Sequence, residues 1–257
     1  MTAILVVLHK SIVLLFMAIF KSNRRKEKPK PNALAVPLGF SIKSQLGSPS
    51  TLVNASSATN FTFKLKGKNI IEPVINKFNS IKKFSEKFAL LEKNKIFFEY
   101  NHMDNKVFKS NTESYGNSFD RVLAEMLVFY YQNEIPKNNT VYKFIEKVTE
   151  LNPINYDLQT NPYRYFFLMR HFLYDYALGM RAAEIWKQNF QASGGYLIVK
   201  EDGDIICYHF YFRNKFEEYL LNNTILETPS TTRHKFGKIY NEEGDFYLKL
   251  NLQIRFK

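Results

Sequence analysis

From Gly39 onward the chain is written in blocks that switch between two hydrophobic periods. Gly39-Phe-Ser-Ile-Lys-Ser-Gln45 and Thr59-Asn-Phe-Thr-Phe-Lys-Leu-Lys66 alternate apolar and polar positions, the period of two expected of strands. Leu46–Ser57 between them is rich in Gly, Ser, Pro and Asn and reads as a loop. Ile70–Leu91 changes to spacings of three and four, which predicts one helix, or two broken near Asn79-Ser80, with Pro73 tolerated only close to the start. Ile96–Tyr100 predicts a short strand. Ser118 is placed to cap a helix through Leu123, Met126, Leu127 and Tyr130 that stops before Pro136. A further helix fits Val141–Leu151, and Pro162 opens a longer one with Phe166, Leu173 and Leu178 on its apolar side and Gly179 as its stop. Tyr196–Val199 and Ile205–Tyr211 flank Asp202-Gly203, a hairpin signal. Asn214 then caps a short helix through Phe216, Tyr219 and Leu220, and a second hairpin joins Lys238–Tyr240 to Phe246–Phe256 about Glu243-Gly244. Strands and helices come mixed and without a repeat, so the expectation is an α/β fold of the mixed α+β kind in one domain.

Residues 1–35 follow another pattern. Ile4–Leu8 and Ile12–Phe20 are apolar runs broken by His9, Lys10 and Ser11, and a basic stretch from Lys21 to Lys28 follows them. A secretory signal carries its positive charge ahead of the apolar run, the reverse of this order. A membrane span needs about 20 mostly apolar residues, more than either run offers. A single amphiphilic anchor remains open, as does a leader foreign to the domain behind it.

Composition narrows the class. The 257 residues are 45% hydrophobic, 16% aromatic and 23% charged, which excludes disordered, collagen-like and coiled-coil chains. A single cysteine, Cys207, excludes an intrachain disulfide framework and Cys-rich zinc motifs. The net charge is +12, and residues 1–100 alone hold 17 basic against 5 acidic side chains, the whole of that excess. Such a basic segment suits a polyanion such as nucleic acid, an anionic membrane surface, or simply a solvated face in a Lys- and Asn-rich background.

Several chemistries are absent from the sequence: it has no Walker A loop, no G-x-G-x-x-G, no H-E-x-x-H and no G-x-S-x-G. The histidines (His9, His102, His171, His209, His234) form no pair at zinc spacing, and Trp186 with the Tyr and Phe stripes reads as core. What remains is Ser41-Ile42-Lys43 on a strand in the basic third of the chain. A strand lysine can stabilise hydroxide attack on a metal-bound phosphate when a carboxylate two residues earlier and another upstream hold the metal. Position 41 is Ser, so by pattern alone a solvent-facing strand lysine outweighs a catalytic one as the reading of Lys43.

A longer resemblance changes that balance. Gly39-Phe-Ser-Ile-Lys-Ser-Gln-Leu-Gly-Ser-Pro-Ser-Thr-Leu-Val-Asn-Ala-Ser56, followed by Thr59-Asn60-Phe61, resembles the signature segment of type II restriction endonucleases of the HpaII kind. Gly194–Lys200, Cys207-Tyr-His209, Phe216–Thr224, Thr228–His234 and the ending Leu248–Phe256 are similar as well, in the same order, from about Gly39 to the C-terminus. The resemblance implies a restriction-endonuclease-like domain over 36–257 with a PD-(D/E)xK core, N-terminally incomplete, behind the atypical 1–35 leader.

The family implies a cytoplasmic, Mg²⁺-dependent nuclease that cuts both strands of unmethylated double-stranded DNA at a short palindrome, CCGG in the prototype. It also implies a cognate cytosine methyltransferase as functional partner and, by the symmetry of a palindrome, a homodimer on DNA. On this resemblance Lys43 is the catalytic motif lysine. Ser48, Ser50 and Asn54, in the loop after it, become candidates for the DNA backbone, and Arg233 in a Ser/Thr-rich loop for reading guanine. Arg233 bonded to nearby carboxylates or carbonyls is the bland alternative. The family's upstream Asp metal ligand has no counterpart in residues 1–38, where Glu27 is the sole acid before Lys43. The chain is therefore expected to be a truncated or frame-shifted relative with weak or absent catalysis. The competing expectations are a non-catalytic DNA-binding remnant and a membrane-anchored protein with a basic juxtamembrane segment.

Overall fold

A computed structural model describes residues 40–46, 50–190, 194–209 and 213–257. The leader, with Glu27, and the 47–49 segment, with Ser48, lie outside them. By their internal contacts the described residues up to 50 and those within 189–216 form one compact unit, and those within 51–188 and 217–257 form another. Elements are numbered in chain order.

In the first unit β1 (Phe40–Ser44) runs parallel to β5 (Gly195–Val199), and β5 pairs antiparallel with β6 (Ile205–His209). The register sets Ser41 beside Tyr196 and Lys43 beside Ile198, with Tyr208 and Ile206 next in line on β6. Strand alternation therefore gives these six residues one face of the sheet. Phe216, on α7 (Arg213–Asn223), lies over that face, its ring 4.6 Å from that of Tyr196 and 5.4 Å from that of Tyr208. The β5–β6 turn falls at the expected Asp202-Gly203, with Gly203 at φ 85° and Asp202 Oδ1 accepting from the Asp204 N–H at 2.9 Å.

The second unit is built on β3 (Asn60–Lys66), central in an antiparallel sheet with β4 (Phe97–Met103) on one side and β9 (Asp245–Asn251) then β8 (Ile239–Glu242) on the other. Phe61, Phe63 and Leu65 share one face of β3 and are buried. A smaller antiparallel sheet sets β10 (Ile254–Phe256) between β2 (Thr51–Val53) and β7 (Thr224–Leu226). Helices α1 (Glu72–Ser80), α2 (Phe84–Lys93), α3 (Lys106–Glu113), α4 (Phe119–Gln132), α5 (Val141–Leu151) and α6 (Arg164–Ala177) supply the rest of the core. Ten of the fourteen residues of α4 are buried, so it is apolar nearly all round, as a helix packed on α2, α3 and α5 must be.

Most strands and helices fall where the periodicity puts them, and the differences have local causes. The 70–91 stretch breaks into two helices because the Asn79 side chain turns to the sheet: its Nδ2 donates to the Ile239 carbonyl at 2.9 Å and its Oδ1 accepts from the Ile239 N–H at 2.8 Å. Helix α3 was not expected from the pattern. Two of its three buried residues, Asn111 and Thr112, are polar, and Asn105 Oδ1 caps it by accepting from the Phe108 N–H at 2.9 Å. Ser118 stands at the start of α4 but in a left-handed conformation (φ 77°) with no side-chain cap bond, and the long helix after Pro162 begins at Arg164. Helix α7 begins at Arg213, so Asn214 lies inside it rather than capping it. The 46–57 loop contains β2 and ends in a turn of 3₁₀ helix over Ser57–Thr59.

The expected last strand, Phe246–Phe256, is two strands in two sheets. Between β9 and β10 the chain changes partners at Asn251, which is fully buried. Its Nδ2 lies 2.7 Å from both the Ser56 carbonyl and Asn60 Oδ1, its own carbonyl accepts from the Tyr131 hydroxyl at 3.0 Å, and the Leu252 N–H donates to the Thr59 carbonyl at 2.9 Å. Removing a buried donor strands its acceptors. Asn251→Ala is thus expected to cost about 1–3 kcal/mol of stability, and Asn251→Asp more, because a carboxylate would face the Ser56 and Asn60 oxygens. Urea-denaturation midpoints measure both, and a parent-like midpoint for either variant contradicts this assignment.

Candidate functional site

Lys43 is the third residue of β1 and half-buried, with Ser41 beside it on the same face and the fully buried Ile198 as its register partner. Ile42, on the opposite face, is 47% exposed, so the alternation presents the lysine toward the packed side of its own sheet. Burial pushes the Lys43 pKa down from the ordinary lysine value. A cation that has lost part of its hydration acts more strongly on a neighbouring anion, which is the electrostatic requirement for stabilising charge on a phosphoryl group.

The described part of this unit does not supply a set of metal donors. Ser41 stands where a carboxylate would be needed, and the carboxylates Glu201, Asp202 and Asp204 are exposed in or beside the β5–β6 turn. Among the described residues no group of three His, Cys, Asp or Glu side chains is arranged to hold a metal ion.

Of the other sequence candidates, Ser50 belongs to the same unit as Lys43, and Asn54 and Arg233 belong to the second unit. Ser50 is half-buried, with its Oγ enclosed and without a hydrogen-bond partner among the described residues. Asn54, just past β2, is exposed. Arg233 lies in a Ser/Thr-rich stretch expected as a loop, which instead coils into one turn, α8 (Thr231–His234), capped by Ser230 Oγ accepting from the Arg233 N–H at 3.3 Å. The Arg233 side chain is exposed and among the described residues forms no ion pair, so its bonding to nearby carboxylates is not what is seen. His171, on α6, has its Nδ1 2.8 Å from the Phe167 carbonyl and its ring on the Phe167 ring, a local helix contact.

Sequence reasoning missed two charged groups of the second unit. Asp104 accepts from the Thr62 hydroxyl at 2.5 Å and from Lys249 Nζ at 2.6 Å, which neutralises it within the sheet. Lys87, on α2, is buried. Its Nζ donates to the Phe78 and Gly237 carbonyls at 2.8 Å each and lies 4.3 Å from the centre of the Phe78 ring. With both carbonyls served by its amine, Lys87 joins α1 to the strand-side loop at Gly237, a structural role.

The comparisons with known proteins settle the lineage. A family model described as HpaII restriction endonuclease matches residues 29–256, beginning ahead of Gly39, where the sequence resemblance was read. The chain belongs to that family. It is 45% identical over 219 residues to the Type II restriction enzyme HpaII of Haemophilus parainfluenzae, an alignment that covers 85% of this chain and 60% of that enzyme. The chain thus spans about 60% of the length of the curated relative it matches. No solved structure matches it. Within this HpaII-family chain no helix among the described residues is long and apolar enough to cross a membrane.

The buried amine of Lys87 gives a pH test of this arrangement. Burial lowers its pKa to about 8 and the nearby Lys238 charge pushes the same way, against 10.5 for an ordinary lysine. Between those two values the unfolded chain holds a proton that the folded chain has released, so this group's contribution to stability rises with pH across that window. The stability advantage of the parent over Lys87→Met, followed by urea denaturation, is expected to grow as pH rises from about 8 toward 10.5. A constant difference over that range would place the amine outside it.

Proposed function

We propose that this chain is a type II site-specific deoxyribonuclease of a restriction–modification system, hydrolysing both strands of double-stranded DNA at a short CCGG-like palindrome. The observation that carries the reading is the family match over nearly all of the chain past residue 28, which includes the strand that holds the half-buried Lys43. In the finer fold reading β1 is the strand that carries the lysine of a PD-(D/E)xK core, with Lys43 at the lysine position and Ser41 at the acid position.

In the reaction, the oxygen of a water molecule bonds to phosphorus in line with one ester P–O bond, that bond breaks, the water gives up a proton to solvent, and the departing sugar oxygen takes one up from solvent to become a hydroxyl. Lys43 holds positive charge against the phosphoryl oxygens as negative charge accumulates on them. Ser48, Ser50 and Asn54 are candidates for backbone contacts, and Arg233 for the N7 and O6 acceptors of guanine. Mg²⁺ dependence belongs to this reading on the strength of the family alone; among the described residues no group of three His, Cys, Asp or Glu side chains is arranged to hold it, and Glu27 lies outside them. A palindromic target is matched by a two-fold symmetric homodimer, a cognate cytosine methyltransferase protects the host's own sites, and the location is cytoplasmic.

Ser41 favours a second reading, DNA binding without cleavage, because a hydroxyl replaces the charged ligand that the motif requires. Cleavage of unmethylated plasmids with and without CCGG sites, in the presence of Mg²⁺, separates the two. Under the first reading cutting is confined to CCGG plasmids and Lys43→Ala lowers its rate by about 10²-fold or more, the usual loss on removing one charge-stabilising group. Under the second the parent chain binds the plasmid in a salt-sensitive manner and leaves it intact.

A further inference from the structure

The second unit contains a cavity of 870 Å³ bounded by the end of α1, the segment leading into α2, the Thr231–Lys238 stretch and strand β9. Five lysines line it, Lys82, Lys87, Lys235, Lys238 and Lys249, together with the hydroxyl residues Thr231 and Thr232. No Asp or Glu is found among the described residues that line it. Lys87 and Lys249 are fixed from behind, the first by two backbone carbonyls and the second by Asp104. Lys82, Lys235 and Lys238 are exposed, and among the described residues they form no ion pair. Their charges are therefore uncompensated where they stand, and Lys238 is close enough to Lys87 to disfavour its protonation.

A second cavity of the same unit, of 1260 Å³, has the opposite character: six carboxylates line it against three basic side chains. A polyanion laid on this unit is repelled at the second cavity and attracted at the first.

We propose that the lysine-lined cavity of the second unit, with Lys82, Lys235 and Lys238 at its mouth, is a docking site for the sugar–phosphate backbone of duplex DNA. The proposal rests on the DNA-directed reading above and deepens it by assigning a contact surface. Lysine ammonium groups meet phosphates as point charges, and threonine hydroxyls and helix-turn backbone add hydrogen bonds that position without reading sequence. Arg233 lies between Thr232 and Lys235 on the turn that borders the cavity, so a backbone held by these lysines runs past the residue proposed to read guanine. The lysines then set affinity and Arg233 contributes discrimination.

The test uses the full chain and fluorescently labelled duplexes of about 20 base pairs, with and without CCGG, titrated over a series of salt concentrations in Ca²⁺ or EDTA so that no cutting intervenes. The variants are Lys82→Gln/Lys235→Gln/Lys238→Gln and, as a control of equal charge change, Lys66→Gln/Lys68→Gln/Lys93→Gln, three exposed lysines away from the cavity. Melting curves by circular dichroism verify that each folds like the parent. Each lost phosphate contact lowers the slope of log K against log salt by about 0.9, so the cavity variant is expected to lose about 2–3 in slope and roughly 10- to 100-fold in affinity near 0.1 M salt. The loss is expected to be alike on both duplexes, as for contacts to phosphate. The control is expected to stay close to the parent. Parent binding with a cavity variant no weaker than the control overturns this site and leaves the DNA-directed reading standing. Absence of any salt-sensitive binding by the parent chain overturns both.

Discussion

The buried amide of Asn251 is the constraint on which the second unit turns. It sits where the chain leaves one sheet for another, and its nitrogen faces the Ser56 carbonyl, Thr59 Oγ1 and Asn60 Oδ1. Asn60 in turn donates to the His234 carbonyl at 3.0 Å, so the same cluster fixes the turn that carries Arg233 and half of the lysine-lined cavity. An apolar residue at 251 would satisfy none of these oxygens, and with the cluster gone β9, the 3₁₀ turn at Ser57–Thr59 and α8 would no longer share an anchor. A candidate recognition surface thus depends on a polar knot in the core rather than on its own exposed contacts.

The charge of the molecule illustrates why position along the chain is a poor guide to position in space. The basic excess lies wholly in residues 1–100, yet several lysines of that stretch already have partners within the chain: Lys64 pairs with Asp245, Lys83 with Glu86 at the surface, and Lys87 with backbone carbonyls. The lysine-lined cavity draws Lys82 and Lys87 from the basic third and Lys235, Lys238 and Lys249 from the charge-balanced remainder. Folding concentrates positive charge where neither segment alone would have predicted it.

What could be read in the sequence is what strict periodicity encodes. Strand β1, strand β3, helix α5 and both glycine-containing hairpin turns follow from alternation, apolar spacing and positive-φ residues, Glu243-Gly244 among them at φ 53° and 88°. Helix α3 was hidden because its inward face is held by amide and hydroxyl bonds: Asn111 Oδ1 accepts from the Trp186 N–H at 2.9 Å and Asn111 Nδ2 donates to the Glu184 carbonyl at 2.8 Å. The change of sheet at Asn251 was hidden for the same reason, since a polar residue in an alternating run gives no sign that it is buried. At the candidate site, Lys43 was legible through its neighbours in sequence, whereas the cavity lysines come from residues 82–87 and 235–249, far apart in the chain, and share no local pattern.

The parallel pairing of β1 with β5 has a consequence for the order of assembly on the ribosome. Parallel neighbours need a crossover between them, and here some 150 residues, most of the second unit, intervene between Ser44 and Gly195. At synthesis rates of about 5–20 residues per second, the strand bearing Lys43 emerges roughly eight to thirty seconds before its partner exists. Throughout that interval the strand has no β5 edge to bind, and the nascent chain holds Lys43 without the sheet that half-buries it. The lysine site therefore forms only once β5 has emerged, and a chain interrupted before residue 195 carries the lysine without this site.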